Sequence, residues 1–435
     1  MNDPIEHDEA VRVNDVERRS FLGQVATFGA AALFAGSRAA NAAQDVLRIG
    51  YIHPRTGPFA PFSEADDFLL QQIRKALAPG LVIDGKRYAV EILVRDDESN
   101  PTRQANLAAD LINKDNVDLM LAQVGIGPDV AQQCELNGVP CISTMGPWEA
   151  WMFPMHGNPH VGFKDVFHFF WGIDDIAHVY VDMWNGQATN KVVGMAWSND
   201  LPGNAMGNPR TGMPADFAGA HYRMVDVGKF PVGANDFSVH IQAFKRADAQ
   251  IVTGLFNPPE WATFVTQSAQ MGFKPRIATP AKALLFPGGV AALGKNSDGM
   301  STEIWWTPAY PFHSSLTGQS SAQLAASYEH ATGRQWTQPL GVVHALFEAG
   351  VHALKASGDP KKPRAVADTI RGMQVDTVIG RLDWAHSGIK NVSRIRVVGG
   401  QWRVDHKKLG LYVTTNATAP EIPVQRPFEI LPGTW

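Results

Sequence analysis

The sequence predicts an α/β protein of two Rossmann-like lobes, and three observations carry the prediction. From Val46 to Ser143 short apolar runs alternate with amphipathic segments of helical length, the pattern of a parallel sheet covered by helices on both faces. After an irregular stretch from Trp148 to Trp171, rich in aromatics, His, Gly and Pro, the alternation starts again at Lys191. At 435 residues the chain exceeds one ordinary domain, and two is the natural division.

The elements of the first half follow from local chemistry. Val46–Ile52 alternates and stops at His53-Pro54-Arg55-Thr56-Gly57-Pro58, a strand entering a turn. Phe68, Leu69, Ile73 and Leu77 have helical spacing, ended by Pro79-Gly80. Tyr88–Val94 is the next strand. Asn100 then stands as N-cap before Pro101 at the first helical position, and Ala105, Ala108, Leu111 and Ile112 give that helix one buried face. The apolar run from Asp118 breaks at Gly125-Ile126-Gly127-Pro128 before a helix over 129–137. Val139–Ser143 repeats the plan and ends in Thr144-Met145-Gly146-Pro147-Trp148. Ligands of open α/β sheets sit outside the carboxyl ends of the strands, so these two loops border the expected site.

The second half reads as a strand over 191–196, a Gly/Pro-rich loop over 199–214, a short helix at 216–220 and a helix over 236–247. Strand 250–256, helix 258–271 and strand 276–279 follow, then helices at 320–332, 340–356 and 363–372 and β-like runs at 394–398 and 402–404. Lobe 1 is expected to comprise 44–172 with 309–379, and lobe 2 to comprise 173–308 with 380–435. The chain would thus cross between them about three times, near Ile173, Pro308 and Gly380. Two lobes on hinge strands form a clamp that closes over a small molecule.

Apolar content of 45% and charged content of 18% describe a globular chain with ample core. A net charge of −4 without a basic patch argues against a nucleic-acid partner. Arg18-Arg19-Ser20-Phe21-Leu22, the Ala/Gly-rich run Val25–Gly36 and Ala40-Asn41-Ala42 have the order of a secretory signal over residues 1–43, cleaved near Ala42. The arginine pair points to the twin-arginine route, and the apolar run, roughly a dozen residues, falls short of the ~20 of a spanning helix. The mature protein is expected in the periplasm. The two cysteines, Cys134 and Cys141, flank one helix–strand turn; a local disulfide and two buried free thiols both fit.

Catalytic and cofactor motifs fail on inspection. Gly125-x-Gly127 lacks the third glycine of a dinucleotide fingerprint, since Val130 stands there, and Gly289 to Lys295 misses a phosphate loop because Asn296 replaces Ser/Thr. Met152, Met155, His156 and His160 have loop spacing without a cysteine, and Asp96-Asp97-Glu98 precedes a helix N-terminus. Neither His-Glu-x-x-His nor Gly-x-Ser-x-Gly occurs. No enzyme activity, metal or cofactor is predicted.

A series of stretches carries a resemblance. Arg48-Ile-Gly-Tyr-Ile52 with Thr56-Gly-Pro-Phe-Ala60, Asp96-Asp97 with Asn100-Pro101, and Gly138-Val-Pro-Cys-Ile-Ser143 come first. Ala269-Gln-Met-Gly-Phe273, Ser327-Tyr328 with Gly333, and Val378-Ile-Gly-Arg-Leu-Asp-Trp384 follow in order. The chain resembles the solute-binding components of ABC importers, in the branched-chain amino-acid-binding group of type I periplasmic binding proteins. The resemblance implies a non-catalytic two-lobed protein, a ligand in the interlobe cleft, and an ABC permease as partner. It places the ligand near Thr56, Phe62, Val124, Gly125, Gly127, Met145, Gly146, Trp148, Trp197, Phe256 and Lys282. Of the neighbours Trp305 and Trp306 only one can face the cleft, and Trp306 is taken. Relatives that bind amino acids carry hydroxyls where this chain has Val124–Gly127, and an acid in the turn matching Thr279–Lys282. Here that turn holds Ala281 and Lys282, which inverts the preferred ligand charge. An aromatic or apolar carboxylate or amide is expected in place of an α-amino acid. The rival readings are a secreted cofactor enzyme and a ligand-sensing module for a membrane receptor.

Overall fold

Strand β1 (Val46–His53) lies inside the first sheet because its Leu47, Ile49, Tyr51 and Ile52 side chains are buried on both faces. The computed structural model describes residues 45–123, 127–406 and 408–433. The expected signal segment, and Val124 and Gly125 of the expected site, lie outside the described residues.

The first half continues through α1 (Asp66–Leu77), β2 (Leu81–Ile83), β3 (Lys86–Asp96), α2 (Pro101–Asn113), β4 (Leu119–Gln123), α3 (Asp129–Asn137), β5 (Cys141–Thr144), α4 (Trp148–Met152) and β6 (Val166–Phe169). The second comprises α5 (Ile173–Asn185), β7 (Val192–Ser198), α6 (Leu201–Met206), α7 (Met213–Gly219), β8 (Arg223–Phe230), α8 (Ser238–Arg246) and β9 (Ile251–Leu255). It ends with α9 (Pro258–Gln270), β10 (Ile277–Ala281), α10 (Pro287–Ala291) and β11 (Ser301–Ile304). Then come α11 (Ser321–Thr332), α12 (Gln338–Ala356), α13 (Pro363–Arg371), β12 (Gln374–Thr377), β13 (Gly380–Asp383), β14 (Val392–Ser393), β15 (Val398–Asp405) and β16 (Lys408–Thr415).

A seven-stranded sheet runs β14-β6-β5-β4-β1-β3-β2, and a four-stranded sheet runs β10-β9-β7-β8. All neighbours in them are parallel except the β2–β3 hairpin. A third sheet, β11-β15-β16, is antiparallel. This is the α/β architecture of two parallel-sheet lobes that the alternation predicts. The expected crossing near Gly380 is corrected by strand pairing. Gly380–Asp383 pairs with Gln374–Thr377, and Val392–Ser393 still joins β6 of the first sheet, so the chain leaves that sheet only after Ser393.

The long helix α12 is buried almost all round, as a helix apolar on every face must be. Its Gly350 lets the Leu119 and Leu121 side chains of β4 approach closely. Glu348 on the same helix is buried and accepts from Ser315 N–H (2.5 Å), Ser315 Oγ (3.0 Å) and Val378 N–H (2.9 Å). It thereby ties the segment before α11 to the β12–β13 turn. Burial pushes its carboxyl up to about 7 from an ordinary 4.5. A folded-state value above the unfolded one stabilises the native protein below pH ~4.5 and is lost as pH rises through 7. Replacing Glu348 by Gln should therefore change stability differently at the two ends. Between pH 4.5 and 8 the variant gains about 3 kcal/mol relative to the parent, from about 1.4 kcal/mol per unit. Urea unfolding of both proteins at each pH checks this; parallel pH profiles would contradict it. His344, held by Ser314 (2.7 Å) and pushed down to about 4 by burial, is common to both proteins and cancels in the difference.

Candidate functional site

A cavity of about 80 Å³ lies among the carboxyl ends of strands from both sheets. From the first lobe come Phe59 and Phe62 after β1, Met145 and Pro147 after β5, and Phe170 and Trp171 after β6. The second contributes Pro202 and Met206 of α6, Leu255 at the end of β9, and Ala281, Lys282 and Leu285 at the end of β10. Glu303 and Trp305 on the β11 segment complete the wall.

The walls are mainly apolar, and five of the lining residues are aromatic. Phe62 stacks near-parallel to Trp305 at 6.3 Å between ring centroids and meets Phe286 edge-on at 4.9 Å. Phe170 meets Trp305 edge-on at 5.1 Å. The indole N–H groups of Trp171 and Trp305 are buried without a hydrogen-bond partner. Met145 (φ 69°) and Lys282 (φ 67°) both hold left-handed backbone. For residues with a Cβ this conformation is strained, and such strain gathers at functional sites.

Lys282 is the cation of the wall. Its Nζ sits 4.8 Å from the centre of the Phe59 ring, and among the described residues no carboxylate lies within ion-pair distance of it. Burial pulls its ammonium below the ordinary lysine value, while the more distant Asp200 and Glu260 act the other way. Glu303 is the acid of the wall. Its Oε2 accepts from Tyr180 Oη (2.6 Å) and Thr302 Oγ1 (3.0 Å), and the Lys282 backbone N–H lies against the same carboxyl. Burial raises the Glu303 carboxyl above its ordinary value.

The structure brings Phe62, Met145 and Lys282 of the predicted residues to the cavity and places the other described ones elsewhere. Thr56 is exposed and fastens its turn to β3 through Asp96, by Oγ1 at 2.8 Å and N–H at 3.2 Å. Gly127 stands before α3, where a Cβ would meet the Asp129 carboxylate at 2.8 Å. The Gly146 carbonyl accepts from His168 Nε2 at 2.8 Å. Trp148 starts α4, with its N–H on the Trp171 carbonyl and its ring against Phe153. Trp197 is core, packed over Gly207. Phe256 is enclosed by Phe230 and Trp261, each at 5.1 Å. Trp306 turns to the other side, against Gly341 and Trp336, with its N–H on Ser321 Oγ at 3.2 Å. Trp305 takes the cavity position. Cys134 and Cys141 are buried free thiols; burial first, then contact between them, pushes the Cys134 thiol upward.

Sequence reasoning missed Phe59, Phe170, Trp171, Leu255 and Glu303. The last had a signal: one acid inside Ser301-Thr302-Glu303-Ile304, just before the tryptophan pair, where a buried strand rarely keeps a charge without a use. Among the described residues no three His, Cys, Asp or Glu side chains gather as a metal site, and no helix is long and apolar enough to cross a membrane.

Comparison with known proteins agrees with this architecture. The family described as "Periplasmic binding protein" has a sequence model that matches residues 46–401. A putative branched-chain amino acid ABC transporter protein from Silicibacter pomeroyi is similar in structure, with a TM-score of 0.71 at 15% identity over 89% of this chain and 100% of that one. A leucine binding protein from Thermotoga maritima has a TM-score of 0.65 at 18% identity, over 86% of this chain and 99% of its own. A solute binding protein of an ABC transporter from Rhodopseudomonas palustris, solved with 3,4-dihydroxy benzoic acid, has a TM-score of 0.65 at 17% identity, over 87% and 99%.

Proposed function

Because the chain belongs to the periplasmic binding protein family, we propose that it is the solute-binding component of an ABC importer, exported to the periplasm, and that its solute is an aromatic or apolar carboxylate or amide. One observation carries the ligand class: the half-buried ammonium of Lys282, which among the described residues has no carboxylate within ion-pair distance, on the wall of an apolar cavity that includes five aromatic residues. An unpaired buried charge is costly, and a ligand carboxylate offsets that cost on binding. The unpartnered indole N–H groups of Trp171 and Trp305 add donors on the same wall. An α-amino acid would bring a second cation beside Lys282, which like-charge repulsion disfavours. The Rhodopseudomonas palustris protein shows that the fold accommodates an aromatic acid.

Capture proceeds by hinge closure. Phe62, Met145 and Phe170 of the first lobe receive the ring, and the second lobe then brings Met206, Leu255 and Lys282 over it. A closed clamp of this kind presents one solute to a membrane permease. The signal over residues 1–43 directs export by the twin-arginine route, so periplasmic protein should begin near Ala43 by intact mass. The ligand class is tested by thermal unfolding of the mature protein against aromatic carboxylates, aliphatic carboxylates, amides, leucine and valine. A ligand that binds only the folded state stabilises it by mass action, about 2.7 kcal/mol at a hundred times Kd. The midpoint should rise with aromatic carboxylates and stay fixed with leucine and valine; the reverse pattern would refute the assignment.

A further inference from the structure

We infer that Glu303 reads a hydrogen-bond donor on the ring of the ligand, so that the solute is a hydroxyl-bearing aromatic acid, one end held by Lys282 and the hydroxyl by Glu303. The inference rests on the aromatic-carboxylate reading above and deepens it.

The polar complement of the cavity is uneven. Lys282 and the indoles of Trp171 and Trp305 can only donate, and among the described residues Glu303 is the one acidic side chain on the wall. The remaining lining is Phe, Met, Pro, Leu and Ala. A benzoate-like anion would satisfy the donors and leave the Glu303 carboxyl facing a ring edge. Both side-chain hydrogen bonds to that carboxyl end on Oε2, from Tyr180 and Thr302. A carboxyl has roughly four lone-pair sites, so Oε1 keeps capacity for a donor from the cavity even with the Lys282 amide beside it. The tether is rigid: Tyr180 lies on α5 and Glu303 on β11, both in the buried core of the second lobe. A group held this way cannot swing aside for a ligand that offers no donor, and a buried acceptor left unmet costs affinity. That makes Glu303 a discriminating group as well as a binding one.

The experiment is calorimetric titration of the mature protein with benzoate, 3-hydroxybenzoate, 4-hydroxybenzoate and their methyl ethers. At least one hydroxybenzoate should bind tenfold to a hundredfold more tightly than benzoate, roughly the worth of a hydrogen bond to a charged group. Its methyl ether should lose that gain. In Glu303→Met the preference for a hydroxybenzoate over benzoate should vanish. Wild-type discrimination between hydroxyl and methyl ether needs no variant, so the inference stays testable if Glu303→Met fails to fold. Benzoate binding as tightly as every hydroxybenzoate would overturn the role of Glu303 alone, as would a preference that survives in Glu303→Met. If none of these acids binds, the carboxylate reading itself falls and takes this inference with it.

Discussion

Replacing Lys282 by Met should weaken binding of an aromatic carboxylate by about a hundredfold or more, while the ligand-free protein stays at least as stable as the parent. The two effects share a cause. In the free protein the half-buried Lys282 ammonium lies against Phe59 and, among the described residues, no carboxylate is within ion-pair distance, so the folded state bears a charge that the more distant Asp200 and Glu260 compensate only in part. Methionine has a similar length and no charge to desolvate, and exchanging a poorly compensated buried ion for an apolar side chain is often neutral or stabilising. In the proposed complex the same ammonium would meet the ligand carboxylate in a desolvated cavity. Truncating one member of such a pair costs about 2–5 kcal/mol, and a hundredfold loss, about 2.7 kcal/mol, lies in the lower half of that range. Calorimetry gives the affinity and thermal unfolding without ligand gives the stability. Unchanged affinity would mean that Lys282 is not the anion-binding group. Lost stability with unchanged affinity would make it a structural residue.

Gly254→Ala should abolish folding of the second lobe. Gly254 lies in β9, flanked on both sides by β7 and β10. Its φ of +148° belongs to a region that side chains avoid, and a Cβ there would lie 1.7 Å from the backbone carbonyl oxygen of Ala196. That atom belongs to a neighbouring strand in a fully buried stretch, so neither backbone can yield without breaking the ladder. The loss should be at least about 4 kcal/mol, the range reserved for core and backbone disruption. Gly288→Ala on α10, where a Cβ meets nothing within 4 Å, is the control and should stay within about 1 kcal/mol. Urea unfolding of the soluble fraction measures both. A Gly254→Ala protein of parental stability would show that β7 and β9 are not packed this closely. The position also matters for the site, because Leu255, the next residue, lines the cavity.

Much of the fold was legible because burial on both faces leaves a strong mark. β1 alternates into the turn at His53-Pro54, β4 is an apolar run that breaks at Gly125, β5 ends in Ser143-Thr144, and Asn100-Pro101 caps α2, with the Asn100 side chain accepting from Arg103 N–H. The missed elements lack that mark. β8 is largely exposed and carries Asp226, Gly228 and Lys229, so an edge strand reads as loop. The β2–β3 hairpin turns on Asp84-Gly85, both with positive φ, which is the residue pair a two-residue hairpin favours. Its first strand has only three residues, too few to show a period. β6 was hidden among the aromatics that surround it.

The site was legible as a region more than as residues. The strand-end rule led to the loops after β4 and β5 and the family resemblance to the turn after β10; Met145 and Lys282 lie in the last two. At the end of β9, however, Leu255 faces the cavity and Phe256 the core, and on the β11 segment Trp305 and Trp306 divide the same way. Side chains alternate along extended chain, so a shift of one residue exchanges the two faces. Composition gives both members of each pair the same weight. Only packing partners, here the Phe230–Phe264 cluster and Gly341, decide which one reaches the cavity. Glu303 was overlooked because attention to charge fell on the turn after β10, where an acid was expected and a lysine stood.

The most direct test of an interlobe anion site is a crystal structure of the mature protein with 4-hydroxybenzoate. The account predicts a closed form with the ring between Phe62 and Trp305 and the carboxylate within hydrogen-bond distance of Lys282 Nζ. Leucine retained in that cavity from the expression host, or the aromatic acid bound with its carboxylate away from Lys282, would contradict it.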